Sequence, residues 1–194
     1  MIFEVSKRHR FHALEGQPEK PRLRMFNRTM HFGLVAAILL LHYSHLALAQ
    51  DPAFPPGAET AGTAPPSEIM LRAAPLMKAG KGDEATFWFY AGQLRWRSRL
   101  NANPDQDPTG EPALFSSLFE TLGPSVNGWA FGDIPKLQRT IDAVLLWDAR
   151  YPDPSLDPAV HRRMRAGLTN LRDQIGREAD TIRAERASRG LENR

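Results

Sequence analysis

Cysteine is absent from this chain of 194 residues. Its absence excludes disulfide bonds, cysteine nucleophiles and the lipid anchor that is attached to an N-terminal cysteine. A fold without covalent crosslinks depends on the burial of apolar surface, which a chain of this length can supply.

Histidine is scarce as well, because His161 is the single histidine after residue 49. A zinc site built from several histidines is therefore excluded. A Ser-His-Asp triad would depend on His161, but Arg162, Arg163 and Arg165 surround it, and we interpret it as a solvated helix residue. The sequence predicts no catalytic residue, no metal site and no cofactor, so the protein is not expected to be an enzyme.

Long apolar runs are also missing. The longest spans residues 32–41, whereas a membrane-spanning helix needs about 20 apolar residues. Arg28 precedes this run and Ala47-Leu48-Ala49 follows it, which is the pattern of a cleavable Sec signal peptide. We predict cleavage after Ala49, a periplasmic or secreted protein, and no stable membrane span after cleavage.

Charge is distributed unevenly along the chain. The whole sequence has a net charge of +3, but the first 49 residues contain seven of its basic residues. From Gln50 onward, 18 basic residues stand against 19 acidic ones, which gives a net charge of −1. Nucleic-acid binding needs a basic surface on the mature protein, so we do not expect nucleic acid as a partner.

Composition divides the chain into three segments. Residues 1–49 hold an N-terminal extension and the signal peptide, with Met1, Met25 and Met30 as alternative starts. Residues 50–66 contain five prolines and few large apolar side chains, which predicts a disordered Pro/Ala-rich linker. Residues 67–194 are expected to form one helical domain.

Apolar residues recur at helical spacing through that domain, and no β-hairpin signal competes with them. Asp83 and Asp133 are predicted N-caps, Pro75 should split the first helix, and Gly123-Pro124 should end the third. We therefore predict an all-α fold of about five helices, stacked as antiparallel helical hairpins with a long C-terminal amphipathic helix. The predicted helices span about residues 67–78, 83–100, 113–122, 134–150 and 159–189.

The second predicted helix contains four consecutive aromatic residues, Phe87-Trp88-Phe89-Tyr90. They point in all directions around the helix axis, whereas a surface helix has one apolar stripe. Gly92 in the same helix suggests the close approach of another backbone. The pattern predicts a central core helix, and the alternative is a core helix that also supplies part of a binding surface.

Residues 80–89, Gly-Lys-Gly-Asp-Glu-Ala-Thr-Phe-Trp-Phe, resemble the turn and second-helix start of a tetratricopeptide or Sel1-like repeat. In those repeats a glycine lies in the turn and aromatic residues occupy the positions of Trp88 and Phe89. A weaker similarity to the same turn occurs at Gly132-Asp133-Ile134. It lies 52 residues after the first, whereas such repeats are about 34 residues long. The resemblance implies stacked helical hairpins and a protein-binding scaffold without catalysis.

Candidate binding residues are polar and aromatic side chains that we expect on the second helix and in the loop between the third and fourth helices. They are Trp88, Gln93, Arg97, Asn127, Trp129 and Asp133. Asp148 differs from them, because it falls on the apolar stripe of the fourth helix. We expect it to be buried and paired with an arginine.

Two functions fit these features. The first is a periplasmic protein-binding module, such as an inhibitor, an immunity protein or an envelope-assembly accessory, whose partner is another protein; a homo-oligomer is compatible with it. The second is a hydrolase that acts on cell-wall material through carboxylates, for which Asp133, Asp148 and Glu120 are the candidates.

Overall fold

The computed structural model describes residues 54–194, and every regular element in that range is helical. A short 3₁₀ helix, Ala61–Thr63, precedes seven α-helices. They are α1 (Pro66–Leu71), α2 (Ala73–Lys78), α3 (Gly82–Ala102), α4 (Glu111–Ala130), α5 (Ile134–Arg150), α6 (Pro158–Arg177) and α7 (Ala179–Ser188). The all-α prediction is confirmed, and the predicted signal peptide and its cleavage site lie outside the described residues.

Helix α3 is the central element: α1, α2, α4, α5 and α6 pack against it, whereas α7 packs against α6. All four of its consecutive aromatic residues are buried, which confirms the interpretation of residues 87–90 as a core helix. A Cβ added at Gly92 would lie 2.5–2.7 Å from side-chain and backbone atoms of Met70. Glycine therefore lets α1 cross α3 at close range, as the sequence indicated.

Two pairs of consecutive long helices, α3 with α4 and α5 with α6, form antiparallel hairpins. In the first, α4 runs antiparallel to α3, because Phe119 stacks on Phe89 near the middle and Phe115 contacts Trp96 further along α3. In the second, α5 and α6 are antiparallel and are joined by the ion pair between Asp148 and Arg165. The predicted arrangement of helical hairpins is confirmed.

Helix α4 is longer than predicted, because Gly123-Pro124 does not end it. Proline removes one backbone donor and usually breaks a helix interior. Here the turns after Pro124 continue to bury Val126 and Ala130, and Gly123 lies against the ring of Phe89. The packing on α3 outweighs the lost hydrogen bond, so the prediction of a break was wrong and residues 125–130 are helical.

Asp83 and the C-terminal helix also depart from the prediction. Helix α3 begins at Gly82 with Lys81 as its N-cap, so Asp83 lies inside the first turn and is not the cap. The predicted final helix is divided at Glu178 into α6 and α7, and α7 buries no residue. Asp133, by contrast, caps α5 as predicted, since its carboxylate accepts from the backbone N–H of Lys136 at 3.0 Å.

Residues 54–65 differ from the flexible linker that the proline content predicted. Ala58 and Ala61 are fully buried, and the indole N–H of Trp147 donates to the carbonyl of Ala58 at 2.8 Å. A Cβ at Gly62 would lie 2.9 Å from the Cβ of Tyr151. The small residues that lowered the apolar content of this segment let its backbone fit closely against the helices.

No helix within residues 54–194 combines the length and the apolar content that crossing a bilayer requires.

Candidate functional site

The candidate residues Trp88 and Gln93 lie inside the core and do not form part of a surface. Trp88 packs edge-on against Phe87, and the guanidinium of Arg72 lies over its ring at 4.4 Å. Gln93 is buried as well. Because α3 is covered on several sides, both residues contribute to its packing, and their predicted role in binding stays a prediction.

Arg97 and Asn127 lie along the contact between α3 and α4. The exposed side chain of Arg97 has its guanidinium carbon 5.4 Å from the ring centroid of Phe115. Asn127, which was expected in a loop, is a helical residue of α4 and accepts a hydrogen bond from the hydroxyl of Tyr90 at 3.2 Å. Burial raises the pKa of Tyr90 above its usual range, so this hydroxyl stays protonated and remains a donor.

Trp129 and Asp133 do come close together, at the end of the molecule where α3 begins. The indole N–H of Trp129 donates to Asp83 Oδ1 at 3.0 Å, and the ammonium of Lys136 pairs with the same carboxylate. A shallow depression lies there, lined in part by Asp83, Asp133, Lys136 and Arg194. Burial alone would raise the pKa of Asp83, but hydrogen bonds from Lys136 and Trp129 lower it below its usual value.

One side of α4 carries apolar residues that the rest of the fold covers only in part. Leu114 is 45% exposed, and Leu118 and Leu122, one and two turns further along, are half-buried. We call these three residues the α4 leucine row. Their neighbours Phe115 and Phe119 face α3, yet no residue of α4 before Gly123 is fully buried.

A second group of charged residues lies in the interior, around Asp148. This carboxylate is 0% exposed, and it pairs with Arg95 Nε at 2.9 Å and with Arg165 Nη1 at 2.8 Å. The guanidinium of Arg95 also lies over the ring of Trp147 at 4.5 Å and donates to the carbonyl of Tyr151. Burial lowers the pKa of Arg95, and the charge of Asp148 opposes that effect.

His161 joins this group, which we call the Asp148 network. Its Nδ1 lies 3.4 Å from Asp148 Oδ2, and its Nε2 lies 3.1 Å from the carbonyl oxygen of Asp153. The carboxylate of Asp153 is held in turn by Arg99 at 2.9 Å and by the hydroxyl of Ser155 at 2.6 Å. The prediction of a solvated His161 was wrong, whereas the predicted buried pairing of Asp148 with arginine is confirmed.

The chemistry of the Asp148 network follows from its burial. Asp148 has two cationic partners and no exposed surface, so the carboxylate is not presented to a molecule from solution. Such groups fix the packing of the helices that supply them, here α3, α5 and α6. Within residues 54–194, no cluster of three or more acidic or histidine side chains has an arrangement that could hold a metal ion.

Comparison of the chain with protein-family models, with curated proteins and with solved structures found no match. The likeness of residues 80–89 to tetratricopeptide and Sel1-like repeats remains a local resemblance. The function therefore has to be argued from the surfaces of the molecule.

Sequence reasoning missed several participants in these two groups, among them Asp83, Arg95 and Arg194. Asp83 was assigned only a capping role, and Arg95 and Arg194 were not singled out. Arg95 carried a weak signal, because it lies between Leu94 and Trp96 in the helix with the four consecutive aromatic residues, and both neighbours are buried. Nothing in the local sequence pointed to Arg194, because its contacts are with residues more than 60 positions away along the chain.

Proposed function

We propose that this chain is an exported helical module that binds another protein through the α4 leucine row. The observation that carries the proposal is the exposure of that row in a domain whose other large apolar side chains are mostly covered. The other exposed large apolar residues in the described part of the chain, Leu71 and Leu191, lie on two different segments, α1 and the residues after α7. Leu114, Leu118 and Leu122 instead form a continuous ridge at helical spacing, as helix-in-groove partners and helix-binding surfaces do.

The magnitude of the expected gain supports a binding role. Full burial of a leucine side chain is worth about 1.5–3 kcal/mol, so covering the exposed part of Leu114 contributes roughly 1 kcal/mol, and the partly buried Leu118 and Leu122 contribute less. Together the three leucines would form the apolar centre of an interface. The guanidinium of Arg97, which lies over the ring of Phe115, would form part of its polar rim. Arginine is enriched in protein–protein interfaces for this combination of charge and planar surface.

Export is part of the proposal and rests on residues 28–49. A binding module of the periplasm or the medium could serve as an inhibitor, an immunity protein or an envelope-assembly accessory. N-terminal sequencing of the protein recovered from the periplasm tests this step. We expect a mature chain that begins at Gln50, and an intact N-terminus in the cytoplasm would contradict export.

The alternative, a carboxylate-dependent hydrolase of cell-wall material, receives less support. Of its three candidate acids, Asp148 is enclosed by arginines and Asp133 is engaged as the cap of α5. Glu120 is exposed, but it is not part of the depression near Trp129. Asp83 and Asp133 both line that depression, but Lys136 and Trp129 engage the first carboxylate and the backbone of α5 engages the second. Within residues 54–194, this pair therefore gives little support to an acid and a base facing one substrate.

The decisive experiment compares two baits that differ in one exposed leucine. Leu114 and Leu191 are 45% and 46% exposed, so their replacement by glutamate perturbs the fold to a similar, small extent. Tagged wild-type, Leu114→Glu and Leu191→Glu proteins are purified from native periplasm, and the co-purifying proteins are quantified by mass spectrometry. We expect a stoichiometric partner with wild type and Leu191→Glu and its loss with Leu114→Glu; equal recovery with all three baits would contradict the proposal.

A further inference from the structure

Trp129 differs from the other tryptophans of the chain in being only half-buried, whereas the other three are in the core. Its ring lies on the first turn of α3. A Cβ at Gly82 would be 2.3–2.5 Å from three ring atoms, so glycine is needed for this contact. The indole N–H is fixed by Asp83 Oδ1 at 3.0 Å. The ring is therefore held in place by α3, independently of the C-terminal residues.

The guanidinium of Arg194 lies on this ring. Its central carbon is 3.5 Å from the ring centroid, and Nη2 donates to the carbonyl of Trp129 at 2.6 Å. The backbone N–H of Arg194 donates to the carbonyl of Gly132 at 2.6 Å. The negative charge of Asp83 is close enough for Arg194 to help lower the pKa of that carboxyl. An aromatic face, a carbonyl acceptor and a nearby carboxylate are the features by which proteins recognise a guanidinium.

The segment that carries Arg194 has few attachments beyond Ala179 and Ile182, which are partly buried against the core. Helix α7 contains no buried residue, and residues 187–194 are all exposed. The hydrogen bonds of Glu192 and Asn193 return to Arg186 and Arg183, inside the same C-terminal segment. A segment with so little buried surface opens at a small free-energy cost, and the ring of Trp129 keeps its support from Gly82 and Asp83 when it does.

We propose that Trp129, its backbone carbonyl and Asp83 form a binding site for the guanidinium of an arginine residue of the protein partner, whose backbone N–H donates to the carbonyl of Gly132. Arg194 occupies this site within the chain, and the partner's arginine displaces it. The inference builds on the proposed protein-binding role, because it names the chemical group that the partner presents. A tethered side chain competes at an effective concentration on the order of millimolar, so removal of Arg194 strengthens binding of an added guanidinium.

The test uses N-acetyl-argininamide as the probe and the indole N–H signal of Trp129 in a nitrogen–proton NMR spectrum as the readout. Wild-type protein and the Arg194→Ala variant are titrated side by side. We expect saturable shifts of the Trp129 signal in Arg194→Ala and binding about tenfold weaker in wild type. The indole signals of the buried tryptophans report whether the variant remains folded.

Three controls make the result decisive. Arg189→Ala removes another exposed arginine of the same segment and should behave as wild type. In the Arg194→Ala background, Asp83→Asn should weaken probe binding. N-acetyl-norleucinamide should not shift the signal, and N-acetyl-lysinamide should shift it less than the arginine probe.

The absence of a shift in Arg194→Ala at any soluble probe concentration would overturn the proposal, and an equal response to the lysine probe would overturn its assignment to guanidinium. The probe does not touch the α4 leucine row. If the probe does not bind but Leu114→Glu loses the partner, the proposed function stands and the arginine site is wrong. If the probe binds but Leu114→Glu keeps the partner, the proposed function is wrong and the arginine site stands.

Discussion

A carboxylate, a tryptophan ring and basic side chains meet near the start of α3 and again in its C-terminal half, but the first group is exposed to solvent and the second is buried. At the N-terminal end, Asp83 pairs with Lys136 and accepts from Trp129, over whose ring the guanidinium of Arg194 lies. These charges are open to solvent, since the side chains of Asp83 and Lys136 are 44% and 46% exposed. These residues are of the same types as those of the Asp148 network, but they lie at the surface.

At the other end, Asp148 pairs with two arginines, and one of them lies over the ring of Trp147. Here both the carboxylate and Arg95 are buried. Burial makes each charge costly unless its partners are present, so the network holds α3, α5 and α6 in one arrangement. The comparison teaches that the same residue types serve packing where they are enclosed and are available for recognition where they are not.

The largest expected effect is that of Asp148→Asn. Removing this charge leaves Arg95 buried without its counter-charge, and breaking a buried pair in this way costs about 3–5 kcal/mol. The free energy of unfolding, measured by urea denaturation, should fall by that amount. Asp142→Asn is the matched control on the same helix, because Asp142 pairs with Arg172 at a half-exposed position; it should change stability by less than about 1 kcal/mol.

Glycine substitutions provide the second comparison of the two regions. Gly92→Ala would place its Cβ against backbone atoms of Met70, which cannot move without shifting α1. We expect a loss of about 1–3 kcal/mol or more in unfolding free energy. The three atoms nearest to a Cβ at Gly82 belong to the half-buried ring of Trp129, which is a side chain and can shift at a lower cost than backbone, so the effect of Gly82→Ala should be smaller. Similar losses for the two variants would show that the N-terminal end is as rigid as the core.

Sequence reasoning reached the parts of this fold that depend on local pattern. Four aromatic residues in succession required burial on all sides, and Asp148 on an apolar stripe required a buried partner. The pairing of Asp83 with Trp129 was out of reach, because it joins residues 46 positions apart. The continuation of α4 through Pro124 depends in the same way on the packing surface that α3 offers, which no local signal reports.

Acid should weaken the interior network. Burial alone would raise the pKa of Asp153, but hydrogen bonds from Ser155 and the pairing with Arg99 lower it below its usual value of about 3.8. A carboxyl whose pKa is lowered by folding stabilises the fold above that value, and the stabilisation is lost as the pH falls through the folded pKa. Stability measured from pH 6 down to pH 2 should therefore decline below about pH 4.

The control for this effect is Asp153→Asn, which removes the titrating group. Its unfolding free energy should depend less steeply on pH below about 4 than that of wild type. An identical slope in the two proteins would show that Asp153 does not contribute to the acid sensitivity.

The smallest effect is expected at the exposed end of α3. Asp83→Asn removes the ion pair with Lys136, and surface pairs of this kind contribute about 0–1 kcal/mol. The loss in unfolding free energy should shrink further as salt is added, because solvent-exposed charges are screened. A loss comparable to that of Asp148→Asn would contradict the distinction between the two ends.

The central claim, that the α4 leucine row contacts another protein, is tested most directly by photo-crosslinking in the cells that produce the chain. A benzophenone amino acid is placed at position 114 or position 118, and at position 191 as the control. We predict one specific crosslinked protein from positions 114 and 118 and none from position 191. The absence of crosslinks at both α4 positions, in cells where the protein is folded and exported, would contradict the account.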